Sequence, residues 1–303
     1  MTMDIFFKKR DINVFKLINI DNIKKDCFLD GLEFSNYCIS SKNTLLITFT
    51  NRILPLLGTR VKIVEITINW TTLKVEKKEI FNLCTIPLDS VDFVDRIGDD
   101  FLLVCSRCFF DEEPSIKNAV IAKNDGKLVR RFCIGDAIQG CVVRNNLSIV
   151  VSYFDEGIYG EYDYNGLALF SHTGELVWKN SECPIDDCYA IFLDECDELW
   201  FYYYSDFKLA HTSFDAVSEY SSEIKGSSAF AVFPSKTKFL FRGGYGNEQS
   251  FYIASLNGLN IKKQYKIRFT YKTKRINVVN CNFTRPKLLF LANDNNIYTL
   301  PLK

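Results

Sequence analysis

The residues of this chain with types suited to chemistry are acids and aromatics gathered in a few polar stretches. Residues 153–160 read YFDEGIYG, with Asp155 and Glu156 side by side between aromatics and glycines. Asp136, Asp187, Asp206 and Asp294 stand in similar stretches next to apolar runs, with Arg107, Tyr204, Arg242 and Tyr245 nearby. Carboxylates in such numbers can supply the oxygen ligands that Ca²⁺ requires, and Asp155, Glu156 and Asp206 are the candidate set. The bland reading of each acid is solvation, because Asp and Asn are ordinary turn residues.

Other chemistry finds little support. The two histidines, His172 and His211, fall in an expected hairpin turn and an expected strand. No nucleophile pairs with either in the way a Ser-His or Cys-His arrangement needs. Cys105 and Cys108 have half of a zinc spacing, but a second pair is absent. Cys105 reads as a strand residue and Cys108 as a loop edge. The Gly243-Gly244-Tyr245-Gly246 run lacks the Lys-Ser/Thr of a phosphate loop. The stretch 262–275, KKQYKIRFTYKTKR, is basic and carries interleaved aromatics. It reads as an outer strand whose lysines keep an exposed edge soluble.

The elements that must position these residues show as a repeat. A short apolar strand recurs six times, from Leu45, Phe101, Ile149, Leu199, Phe239 and Leu288. The starts are 56, 48, 50, 40 and 49 residues apart, which suits one four-stranded propeller blade per repeat. An apolar strand precedes most of them, and a hairpin follows. Asn124-Asp125-Gly126, Thr173-Gly174 and Asn257-Gly258 supply positive-φ turn positions. The expected fold is therefore all-β, one domain over residues 1–303, a single propeller of six four-stranded blades. The last repeat stops one strand short, and Ile12–Ile18 is expected to complete it and close the ring.

That topology predicts a face. The hairpins between the third and fourth strands of each repeat are short. The loops between the second and third are longer and richer: SRCFFDEEPSIK, FDEGIYGEYDYNG, YSDFK, GGYGNEQS and ANDNN. Arg107, Asp136, Asp155, Glu156, Asp187, Tyr204, Asp206, Arg242, Tyr245 and Asp294 are expected on that loop-rich face, where function tends to reside. In YFDEGIYG, glycines would let backbone approach a ligand closely.

Three of these segments resemble a family of uncharacterised bacterial propeller-like proteins: 135–160, 186–210 and 229–246. In it, YFDEG, DCYA followed by a YYY-DF run, and GGYG recur in this order. The resemblance covers the middle third of the chain and implies the fold and the location of a site. No activity comes with it. Two departures are Ala137 and Gly140, where the family more often has a second Gly and a second acid. A third is Lys208, near where it more often has Pro.

Composition bounds the function. Lys plus Arg and Asp plus Glu are 37 each, so the net charge is zero and a nucleic-acid partner is not expected. No apolar run approaches a spanning helix, and only a three-residue apolar run, Ile5–Phe7, leads into Lys8, which does not suit a cleavable signal. Eleven cysteines, an odd number and several within apolar strands, fit reduced thiols in a cytoplasmic protein. The main functional expectation is a non-catalytic binding protein without a cofactor. Its acidic, Tyr-rich loop face would take a protein, peptide or glycan. The alternative is a Ca²⁺-dependent hydrolase or lactonase built on the same carboxylates.

Overall fold

A computed structural model describes residues 8–54, 58–108, 117–162 and 164–302. Most of the SRCFFDEEPSIK loop, 109–116, and Asp163 of the FDEGIYGEYDYNG loop lie outside the described residues. The chain opens with β1 (Lys9–Asn13), β2 (Phe15–Asn19) and helix α1 (Ile20–Asp26). Asn19 caps α1 by accepting the Asn22 N–H at 3.1 Å. One sheet follows: β3 (Glu33–Ile39), β4 (Leu45–Leu54), β5 (Gly58–Asn69) and β6 (Lys74–Ile86). The second is β7 (Phe93–Ile97), β8 (Asp100–Val104), β9 (Ala119–Ala122) and β10 (Leu128–Phe132). The third is β11 (Ile138–Val143), β12 (Ile149–Tyr153), β13 (Leu167–Phe170) and β14 (Leu176–Lys179), with the short helix α2 (Asp155–Ile158) after β12.

Next come β15 (Asp187–Leu193), β16 (Leu199–Tyr204), β17 (Lys208–Thr212) and β18 (Val217–Ser222). They are followed by β19 (Phe230–Val232), β20 (Lys238–Arg242), β21 (Phe251–Asn257), β22 (Asn260–Tyr271) and β23 (Lys274–Arg275). The chain ends in β24 (Val278–Asn282), β25 (Lys287–Ala292) and β26 (Asn296–Pro301). Each of the six apolar runs is a strand: β4, β8, β12, β16, β20 and β25. The turn glycines are also where the hairpins need them. Gly174 has φ +89°, and a Cβ there would sit 2.4 Å from the Phe132 ring.

The single six-bladed propeller does not hold. Among the described residues, hydrogen bonding produces five sheets: four of four strands and one of ten. The ten-stranded sheet runs β15-β16-β17-β18-β22-β21-β20-β19, with β1 and β23 also paired to β22. The cause is the length of β22, 12 residues. Its start meets β18 in parallel, at Ser221↔Asn260 and Ser222↔Ile261. Its later part pairs in parallel with β1, from Lys9↔Lys266 to Asn13↔Thr270. Two expected blades thus share one strand ladder.

Two further expectations change with it. The predicted strand Ile12–Ile18 is broken at Val14, which is buried and donates its N–H to Thr270 O at 2.8 Å. Residues before the break join β22, and β2 after it lies beside β26 in a sheet ordered β2-β26-β25-β24. The basic stretch 262–275 is not a bare edge either, since β21 and β1 flank β22 on its two sides. Its lysines lie over aromatic surface instead: the Lys263 ammonium is 4.9 Å from the Tyr252 ring centre.

The chain divides into two compact units, one of residues 1–16 with 189–303 and the other of 17–188. The core of the 17–188 unit is mostly aliphatic, with Leu46, Val61, Ile63, Leu103 and Val120 fully buried between the first two sheets. A buried ion pair crosses those sheets. Arg96 Nε donates to Glu65 Oε1 at 3.2 Å, its Nη2 bonds Glu65 Oε2, and Phe101 lies 3.6 Å below the guanidinium. Asp95 ties three sheets, accepting the N–H groups of Ser41 (2.7 Å), Arg96 (2.8 Å) and Val143 (2.9 Å). The core of the other unit is aromatic. Phe251, Phe283 and Phe269 surround Phe290, with Phe269 and Phe290 ring centres 4.4 Å apart. Such pairs add about 0.5–1.5 kcal/mol each beyond the area they bury. Among the described residues, no helix is long and apolar enough to cross a membrane.

Candidate functional site

The sequence-derived residues divide between the two units. In the 17–188 unit, Arg107 leaves the end of β8 and reaches two acids. Its Nη1 donates to Glu156 Oε2 at 2.6 Å, and its Nε to Asp136 Oδ1 at 3.2 Å. Asp136 also accepts the Cys108 N–H at 2.5 Å. The YFDEGIYG stretch folds locally into α2 because Gly157 can lie against the neighbouring turn. A Cβ at Gly157 would be 2.3 Å from the Asp136 carbonyl oxygen. This glycine therefore admits the protein's own backbone, not a ligand. Ala137, at φ +54°, takes a conformation that suits Gly better, which matches its standing as a departure from the resembling family.

Asp155 and Glu156 are exposed on α2. Asp187, half-buried, is pushed up to about 6 by burial and then by the negative charge of Asp155. Tyr159 donates a hydrogen bond to Asp186. The group thus holds one acid pair neutralised by Arg107 and one pair that repels.

In the other unit, the Tyr204 and Tyr245 rings pack against Phe207. Tyr204 and Tyr245 are 42% and 62% exposed, large for aromatic side chains. The Tyr245 hydroxyl hydrogen-bonds that of Tyr189 at 2.6 Å, and its ring packs edge-on to Phe207 at 5.9 Å. Arg242 Nε donates to the Glu248 carbonyl at 2.8 Å, and Asp206 is exposed. Asp294 serves its own turn, accepting the Tyr298 hydroxyl at 2.8 Å and the Asn296 N–H at 3.1 Å. The Ca²⁺ set of Asp155, Glu156 and Asp206 is divided between the units, and Arg107 already holds Glu156.

A site that the sequence reading missed lies on the β15–β16 turn and β17. Asp194, Glu198 and His211 each bring one ligand atom within 4.8 Å of the others. This corrects the expectation of a protein with no cofactor, because a mixed nitrogen and carboxylate group of this kind is compatible with a metal ion. Asp194 is pre-positioned: its Oδ1 accepts the N–H groups of Cys196 (2.9 Å) and Glu198 (3.1 Å). Pairing of β16 with β17 sets Trp200 opposite His211, and the rings stack 4.3 Å apart. His211 Nε2 lies 2.9 Å from Glu198 Oε2.

The Lys236 ammonium touches both carboxylates, at 2.9 Å from Asp194 and 2.5 Å from Glu198. Burial disfavours this ammonium, yet those two bonds outweigh it and hold the group above the usual lysine range. Glu198 is lowered mainly by the Lys236 bond. A cationic group thus already fills the space between the carboxylates. The signal in the sequence was Asp194 four residues before Glu198 in a tight turn, with His211 opposite in the next strand. It becomes readable only once the β16–β17 register is known.

The family described as YxzG matches residues 160–300. That stretch includes the resembling segments 186–210 and 229–246 and meets the first only at residue 160. No curated protein matches the chain. Among solved structures, YCF48 bound to D1 peptide is similar at 9% identity and a TM-score of 0.52, over 98% of this chain and 100% of the other. A catalytically inactive virginiamycin B lyase from Staphylococcus aureus with quinupristin is similar at 13% identity and a TM-score of 0.47, over 94% and 98%. A chain of a nidogen/laminin complex follows at 10% identity and 0.48, over 78% and 79%. At 9% identity, the likeness to the YCF48 structure speaks for the fold alone.

Proposed function

We propose that this is a metal-binding protein in which Asp194, Glu198 and His211 hold one divalent ion. The convergence of these three side chains within 4.8 Å carries the reading. It takes the metal-assisted alternative over a metal-free binding surface, and it moves the site away from Asp155, Glu156 and Asp206. One imidazole nitrogen and two carboxylates suit an ion of the zinc type, whereas Ca²⁺ wants a larger all-oxygen shell. Three protein ligands leave a position for water, and a bound ion would make that water acidic enough for hydrolytic chemistry.

The protein's own residues prepare the site. The Asp194 turn fixes one carboxylate, and Trp200 fixes the imidazole plane. Lys236 neutralises the acids and must swing out as an ion enters, which its long, partly exposed stem allows. Eleven cysteines support a reducing compartment such as the cytoplasm.

The test is titration calorimetry with Zn²⁺ on the wild type, His211→Ala and Lys236→Ala. We expect Lys236→Ala to bind more tightly and His211→Ala to bind about tenfold or more weakly, the scale on which metal sites respond to altered ligand shells. Equal Zn²⁺ affinity in wild type and His211→Ala would place the ion elsewhere, at a cysteine for instance, and remove the reading.

A further inference from the structure

We propose that Cys133 and Cys108 form a redox-active dithiol, in which Cys133 attacks a small peroxide and Cys108 resolves the product as a disulfide. All 11 cysteines are thiols in the structure. Cys108 Sγ and Cys133 Sγ lie 3.9 Å apart, in a polar setting. Cys133 follows the last residue of β10 and Cys108 the end of β8. The strand between them, β9, brings the two chain ends side by side. A disulfide would need the sulfurs roughly 2 Å closer, within reach of side-chain rotation.

The surroundings divide the labour. Cys133 Sγ hydrogen-bonds the Tyr162 hydroxyl at 3.0 Å, and Tyr162 is also 3.9 Å from Cys108 Sγ. Once Cys133 ionises, both the Cys108 thiol and the phenol can donate to it. The Cys108 hydrogen bond, with those of Tyr162 and the Gly135 N–H behind it, outweighs burial and lowers Cys133 to about 6. Cys108 is raised instead. Among the described residues, the charge acting on the pair is that of Asp136, which opposes the thiolate and is itself bonded by Arg107. Tyr164 stacks on Tyr162 at 5.6 Å and closes that side. Cys133 is half-buried and Cys108 is 2% exposed, so a small oxidant meets Cys133 first. A purely structural pair of buried thiols would need neither the phenol nor the backbone donor.

The chemistry balances with hydrogen peroxide as oxidant. The Cys133 thiolate attacks one peroxide oxygen, the O–O bond breaks, and the leaving hydroxide takes a proton to become water. Cys133 is then a sulfenic acid. The Cys108 sulfur attacks Cys133 sulfur, the S–O bond breaks, and the hydroxide leaves with the Cys108 proton as a second water. Two thiols have lost two electrons and the peroxide has gained them.

The experiment is peptide mapping of the full chain after hydrogen peroxide, with the reaction followed against pH. We expect a Cys108–Cys133 cross-link as the first product. Cys108→Ser should halt at a sulfenic acid that dimedone traps on Cys133. In Tyr162→Phe, which keeps both thiols, we expect cross-linking slowed about threefold at neutral pH. Alkylation of Cys133 should inflect at about pH 6. Oxidation of Cys84 and Cys196 with no Cys108–Cys133 link, or a Tyr162→Phe rate and inflection equal to wild type, would overturn the proposal.

Discussion

Asp187 shows how one side chain responds to its setting. Its carboxyl is raised to about 6 by burial and by Asp155, above the 3.8 of an ordinary aspartate. The folded state therefore binds a proton that the unfolded state has released between those two values. Below pH 3.8 the group is protonated in both states and costs nothing. As pH rises through about 6, the folded state must carry the buried charge, and stability falls. The full shift corresponds to about 3 kcal/mol, and partial solvent screening reduces that to roughly 1–2 kcal/mol. Asp187→Asn should therefore stabilise the protein by that amount at pH 7.5 and leave it unchanged near pH 3.5. Urea midpoints at the two values check it, and an equal gain at both would refute the electrostatic account. Asp187 was legible in the sequence as a candidate, but its raised state was not, because Asp155 approaches it only in the folded chain.

Between elements, the Glu65–Arg96 pair joins β5 to β7. The side chains are only 8% and 4% exposed. Thr44 Oγ1 also donates to Glu65 at 2.6 Å, and Arg96 Nη1 donates to Asn124 at 2.7 Å and to the Asp99 carbonyl at 2.9 Å. Removing one partner leaves a buried charge unpaired, which costs far more than the pair contributes. Arg96→Met alone should destabilise by about 3–5 kcal/mol, and adding Glu65→Leu should recover most of it. Denaturation midpoints of the two singles and the double decide this, and strictly additive losses would contradict it. At this scale the apolar strands and glycine turns were legible, since both follow from local pattern. The ion pair was not: Glu65 and Arg96 lie 31 residues apart and meet only once β5 and β7 have folded.

For the whole molecule, the N-terminal strand matters most. β1 pairs with residues more than 250 positions away, and Asp11 accepts from Arg268 Nε at 2.7 Å across |i−j| of 257. Arg10 stacks 3.5 Å over the Tyr265 ring. A variant lacking residues 1–13 would leave Lys266–Thr270 of β22 as a bare ladder. We expect a lower melting temperature and self-association visible by light scattering. A monodisperse variant that melts like the wild type would show that β1 is dispensable.

The sequence by itself determined where the strands run, where the hairpins turn and which residues are apolar enough for a core. Those properties depend on near neighbours along the chain. The tertiary structure alone decided that β22 joins two expected blades into one ten-stranded sheet. It alone brought His211 to Asp194 and Glu198, and Cys133 to Cys108. Each of these rests on which distant strands share hydrogen bonds and in what register, and no local pattern of residues encodes that.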